Sequence, residues 1–198
     1  VLDSQSVKAP HASDRGIDAH KKIVGRKRHV AVDSDGRLLL VNMTPANVAD
    51  STGAQMILDA MYRKWPSVKH FFADGAYERK SLMDKAAYLG FVVEVVKRTP
   101  GQTGFQPVAK RWVVERTFGW LVRWRRLVRD YERRLDVSES MIQIAMASIL
   151  LKRFIIDKCF SKHALRQRCP PALNEKHPPE RVFFPSASHR GRLLGKLR

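Results

Sequence analysis

The 198-residue chain is short of cysteine, of acidic residues and of long apolar runs. Its two cysteines, Cys159 and Cys169, are too few for a disulfide scaffold and point to a reducing compartment. No apolar run approaches the ~20 residues that a membrane helix needs, which excludes a spanning helix. The opening Val1-Leu2-Asp3 is neither basic nor a leader. There is no Gly-x4-Gly-Lys-Ser/Thr loop to cradle a nucleotide, so the chemistry is expected to run without ATP. Asp and Glu number only 19 against 37 Lys and Arg, giving a formal charge of +18. A balance so one-sided predicts a polyanionic partner, most directly nucleic acid. Against these shortages, 44% of the residues are hydrophobic, enough to build a core.

The excess charge is concentrated in two places. Residues 158–198 carry +8, hold five of the ten prolines and show no sustained periodicity. The chain therefore divides into a folded part, 1–154, and a basic, Pro-rich, irregular tail, 155–198. Residues 97–134 carry another +8, interleaved with Trp112, Trp120 and Trp124, so this second concentration belongs to a folded element.

Within the folded part, strand-like and helix-like patterns alternate. Val1–Lys8 reads as a first strand. Arg28–Val32 and Leu38–Asn42 flank Asp33-Ser34-Asp35-Gly36, an Asp-Gly hairpin signal. Ala54, Ile57, Leu58 and Met61 recur at helical spacing between an Asp50 or Ser51 cap and Pro66. Val68–Phe72 and Phe91–Val96 read as strands around a short helix, Glu78–Leu89, closed by Gly90. A long helix is expected over 108–131 and a more apolar one over 138–154. The order βββαβαβα plus a helix predicts a mixed α/β domain, antiparallel at first and then parallel through crossovers.

Three carboxylates fall where this topology brings them together. Asp3 lies on the first strand, Asp74 ends the fourth after Phe71-Phe72-Ala73, and Glu115 sits in an otherwise apolar and basic helix. Acidic groups converging in a basic protein call for a cation, and hard oxygen ligands suit Mg²⁺ or Mn²⁺. Two such ions ~4 Å apart clamp the attacking and leaving oxygens of an in-line phosphoryl displacement. Each acid also has a plainer reading. Asp74 before Gly75 is a turn former, and Glu115 pairs with Arg111 across one helical turn.

The run Lys21, Lys22, Arg26, Lys27, Arg28 is expected to grip nucleic-acid phosphates near Asp3. Its plainer reading is a solvated loop. On the long helix, Arg116, Arg123, Arg126 and Arg129 fall on more than one face, some toward a nucleic-acid partner and some toward solvent. The three tryptophans read as core before base-stacking platforms. The Cys159, His163, Cys169 and His177 spacing fits no common zinc finger.

The words around the three carboxylates resemble a known family. Asp3-Ser4-Gln5-Ser6-Val7-Lys8, then Gly16-Ile17-Asp18, then Gly25-Arg26-Lys27-Arg28-His29, is similar to the opening of the catalytic domain of DDE transposases of the insertion-sequence-five family. Ala73-Asp74-Gly75-Ala76-Tyr77 resembles that family's second-aspartate motif. The run from Arg111-Trp112-Val113-Val114-Glu115-Arg116 to Leu121 resembles its glutamate motif, continued by Arg125-Arg126-Leu127. The likeness spans about residues 1–153. It implies an RNase H-like fold with a five-stranded mixed sheet flanked by helices, and Asp3, Asp74 and Glu115 as catalytic and metal-holding residues for two Mg²⁺ or Mn²⁺ ions. It implies cleavage at element ends and 3′-hydroxyl transfer into target DNA, by a homo-oligomer, in the bacterial cytoplasm at the nucleoid. It further implies DNA contacts from Arg111, Arg116, Arg123 and Arg126, and a DNA-recognition region upstream of Val1, in cis or as a separate chain. In the related tyrosine–arginine–glutamate–lysine signature, Arg111 stands four before Glu115. The tyrosine position is Val108 and the lysine position is Val122, beside Arg123. A nuclease without strand transfer, or an inactive DNA-binding remnant, would keep the same carboxylates.

Overall fold

A computed structural model describes residues 1–97 and 110–161, with side chains as far as Phe154. Val1–Ile155 forms one compact unit. Of the second, from Ile156, only the end of one helix is described, to Ser161.

Strand β3 (Ile23–Val32) is the spine of the unit. On one edge it pairs antiparallel with β1 (Leu2–Lys8); on the other it pairs antiparallel first with the short β2 (Gly16–Asp18) and then with β4 (Leu38–Pro45). The β3–β4 connection is the hairpin its Asp-Gly signal predicts. The Asp33 carboxylate accepts from the amides of Asp35 (2.9 Å) and Arg37 (2.7 Å), and Gly36 takes a left-handed φ of 79°. Helix α1 (Asp50–Lys64) follows, then β5 (His70–Ala73), helix α2 (Lys80–Tyr88) and β6 (Val92–Val95), with β5 and β6 parallel. Helix α3 (Trp112–Val122) and helix α4 (Leu135–Ser161) complete the described chain.

Period-two alternation along β3 divides the core between two faces. Ala31 and Leu2 face Ala54, Ile57 and Leu58 of α1 and Phe71 of β5. Val30 and Val32 face Val114, Phe118 and Leu121 of α3 and Ile142 and Met146 of α4. In register, Asp3 lies opposite Val30, so it belongs to the face that α3 covers.

Five sequence expectations are corrected. The described strands form a four-stranded and a two-stranded sheet instead of one five-stranded sheet; β1 and β5 run near each other without a hydrogen-bonded ladder. The added strand β2 spans three residues, too short for an alternation signal. The long helix ends at Val122: Trp124 takes an extended conformation (φ −84°, ψ 111°) and a 3₁₀ turn, Arg125–Leu127, follows. Helix α4 continues past 154 to Ser161. Residues beyond Ser161, which hold most of the predicted tail and three of the four members of the Cys–His spacing (His163, Cys169 and His177), lie outside the described residues. Asp50 begins α1 after an N-cap Ala49, and its carboxylate turns to the sheet, where Ser4 Oγ donates to it at 2.6 Å.

Candidate active site

Strand β1 delivers Asp3 to the α3-facing side of the sheet, and the end of β5 delivers Asp74 beside it. Asp3 Oδ1 accepts the Ser4 amide at 2.7 Å. Burial, followed by the neighbouring Asp74 charge, pushes the Asp3 carboxyl up to about 6, while the Ser4 amide, Arg111 and Lys21 pull it back. Asp74 caps the 3₁₀ turn Gly75–Tyr77, accepting the Ala76 amide at 2.9 Å. The turn-forming reading of this residue and its place beside Asp3 therefore both hold. Its other oxygen faces Arg111, whose Nη2 lies 3.5 Å away.

Arg111 immediately precedes α3, so one helix start brings a cation to both aspartates. Glu115 follows one turn later on the same helix. It is exposed and has no hydrogen-bonding or ionic partner among the described residues. The Arg111–Glu115 pairing that the spacing allows does not form, because Arg111 is turned to Asp74. Among the described residues no three His, Cys, Asp or Glu side chains are grouped to hold a metal ion. The structure thus brings Asp3 and Asp74 together and leaves Glu115 apart. Two neighbouring carboxylates are nonetheless a donor set suited to a hard divalent ion.

Beside Asp3, Tyr77 is buried with its hydroxyl unpartnered, near Ser4, Asp3, Asp50 and Asp74. Burial pushes that phenol well above its ordinary range. Sequence reasoning named Tyr77 only as part of a motif; its depth is set by the turn that Asp74 caps.

The predicted DNA-gripping run splits. Lys21 and Lys22 are exposed in the β2–β3 turn. Arg26, Lys27 and Arg28 are instead buried within β3, at 0%, 7% and 1% exposure, and this corrects their reading as phosphate contacts. Arg26 Nη1 bonds Asp130 at 3.0 Å and the Ser138 hydroxyl at 3.0 Å, and its Nη2 donates to the Arg133 carbonyl at 2.6 Å. Lys27 Nζ pairs with Asp50 at 3.0 Å. Arg28 donates to the Leu127 carbonyl at 2.8 Å, and burial lowers its guanidinium to about 10. All three are used up holding the β sheet to its surroundings.

The cations after α3's start also divide. Arg123 is exposed and unpaired among the described residues, whereas Arg126 pairs with Glu132 at 2.9 Å. Arg116 is stacked between Trp112 (4.2 Å) and Trp120 (4.8 Å) and donates to the Asp35 carbonyl, which commits it to the fold. Trp112, expected in the core, is 42% exposed as one side of that stack.

A mixed α/β unit with paired aspartates at neighbouring strands is compatible with an RNase H-like nucleotidyl-transferring enzyme. Residues 1–150 match the family described as the transposase DDE domain, and the chain belongs to that family. It is also similar to a Burkholderia cepacia protein that bears the name of a transposase for insertion sequence element IS402. The two are 28% identical over 160 residues, which cover 75% of this chain and 72% of that protein. DNA is accordingly the substrate class. Among the described residues no helix is long and apolar enough to cross a membrane.

Proposed function

We propose that this chain is the catalytic part of a cut-and-paste DNA transposase of the insertion-sequence-five lineage, with Asp3, Asp74 and Glu115 as its reacting-centre carboxylates. The observation that carries the reading is the Asp3–Asp74 pair with Arg111 against it, one helical turn from an unpaired Glu115.

These three side chains would hold Mg²⁺ or Mn²⁺, two ions in all. When bound, such ions neutralise the carboxylates and polarise the attacking and leaving oxygens of a phosphodiester. The chain's own residues do the rest. Asp3, half-sheltered and reluctant to ionise alone, is held by the Ser4 amide in one orientation. Asp74 is fixed by its own turn. Arg111 supplies the positive charge that keeps the pair together and is placed to meet a DNA phosphate as the carboxylates take up cations. Exposed Lys21, Lys22 and Arg123 stand available to backbone phosphates.

In the first step the oxygen of water attacks phosphorus at the element end, and the bond to the 3′-oxygen breaks, freeing a 3′-hydroxyl. In the second that hydroxyl attacks a target phosphate and displaces its 3′-oxygen. Phosphodiester bonds are exchanged one for one, so no ATP is consumed. The partners are element ends and target DNA, with the protein acting as an oligomer on DNA, in the cytoplasm.

An assay with labelled element ends and a target duplex in Mg²⁺ tests this reading. Joined product is expected. Cleavage without joining would favour a nuclease, and binding alone an inactive remnant.

A further inference from the structure

Away from the aspartate pair, the surface holds a groove of about 350 Å³ whose charged lining is Lys8, Arg15, Lys22 and Arg129, without an acidic side chain. All four are exposed, and none pairs with a carboxylate among the described residues. Arg15 spends one nitrogen on the Pro10 carbonyl, at 3.0 Å. Like charges gathered in a hollow repel one another, a cost that only an anionic occupant removes.

The groove is built, not incidental. Lys8 and Gly16 lie opposite Gly25 from its two sides, and a Cβ there would overlap the Val7 carbonyl, so only glycine lets the end of β1 lie this close on β3. The Asp130 amide donates to the Lys8 carbonyl at 2.8 Å, and the Asp130 carboxylate is locked to buried Arg26, so Arg129 is pinned beside the end of β1. Lys22 adopts a left-handed φ of 51°, a conformation that costs energy in a non-glycine residue and sets its side chain at the β2–β3 turn.

A second hollow of about 290 Å³ shares Lys8 and Arg129 and reaches back along β1 to Gln5, also without an acidic lining residue. Gln5 is on the same strand face as Asp3. From Asp3 to Lys8 the strand covers about 17 Å, which corresponds to about five base pairs of duplex.

We infer that this groove is a docking track for the DNA phosphodiester backbone, holding phosphates about five base pairs from the scissile bond. The inference rests on the proposed function, since it names where the same DNA substrate leaves the reacting centre. Of the four cations, Lys8 and Arg15 stand alone in the sequence, so no charge run announces the track.

The test measures duplex affinity against salt by fluorescence anisotropy with a 30-base-pair duplex. One protein carries Lys8→Ala, Arg15→Ala, Lys22→Ala and Arg129→Ala. A control of equal charge carries Arg63→Ala, Lys64→Ala, Arg79→Ala and Lys80→Ala, all exposed on or before α1 and α2. The groove variant is expected to lose about 3–4 from the log–log salt slope, at about 0.9 per phosphate contact. The control should lose less than about 1 by the same measure. Equal slopes in the two variants, or no change in either, overturn the track. If the fourfold groove variant fails to fold, Lys22→Ala with Arg129→Ala carries the test at about half the slope change. Cleavage at saturating DNA separates the two ideas. A wild-type chain that cleaves while the groove variant binds unchanged defeats the track alone, and a wild-type chain that never cleaves defeats the proposed function.

Discussion

Arg111 Nη2 lies 3.5 Å from the Asp74 carboxylate, and the same guanidinium acts on Asp3. One positive charge therefore serves a pair of acids that could instead serve a divalent ion. Arg111 and the ion compete for Asp74. Arg111→Gln is expected to bind Mn²⁺ about fivefold more tightly, the effect of removing a competing ion pair worth about 1 kcal/mol. Electron paramagnetic resonance titration of free Mn²⁺ reads this directly. Weaker binding in the variant would show that Arg111 organises the carboxylates more than it competes for them.

Asp3 makes a pH-dependent demand on the fold. Its carboxyl titrates at about 6 in the folded chain, against 3.8 ordinarily. The folded state therefore binds the proton more tightly, and stability is lost through this residue as pH rises from 3.8 towards 6. Asp3→Asn should be more stable than the wild type above about pH 6, by about 1–3 kcal/mol. The gain should shrink as pH falls and vanish near 3.8. Burial lowers His29 to about 4, so its own charging opposes this trend, but it is common to both proteins and cancels in the difference. Paired urea titrations across pH 4–8 measure it; a pH-independent difference would contradict it.

Arg26 and Asp130 form an ion pair with side chains 0% and 3% exposed, 3.0 Å apart. Arg26→Met leaves Asp130 buried without its cation and should cost about 3–5 kcal/mol in urea denaturation. Adding Asp130→Leu should recover much of that loss, because both charges then leave together. A single variant within about 1 kcal/mol of the wild type would mean that the pair opens to water.

Gly53 lies in α1 against the buried His29 ring, which a Cβ would overlap. Helix propensity alone favours Gly53→Ala by about 1 kcal/mol. The packing predicts the opposite sign, a loss of about 1–3 kcal/mol. A higher melting temperature for this variant would refute the packing.

The aspartate pair was legible in the sequence because short local words carry it. Asp74-Gly75 makes its own turn, and Asp3 sits on an alternating strand whose face follows from period two. The fate of Arg26, Lys27 and Arg28 was not legible. Three cations in a row read as a solvated run, and what buries Arg26 is Asp130, more than a hundred positions along the chain. The break after Val122 has no local mark either: no proline or glycine stands there, and the turn lets Asp130 come back to the end of β1. Glu115 is helical as its spacing predicts, but whether it pairs with Arg111 depends on where Arg111 points, which spacing does not specify.

The most direct test of the central claim is cleavage of an end-labelled duplex carrying an element terminus in Mg²⁺, by the wild type and by Asp74→Asn, with binding measured in the same samples. The wild type should nick the duplex and free a 3′-hydroxyl. The variant should bind DNA as well or slightly better, having shed a negative charge from a basic surface, and give no product above a metal-free control. Mg²⁺-dependent cleavage retained by Asp74→Asn would contradict the assignment of these carboxylates as the reacting centre.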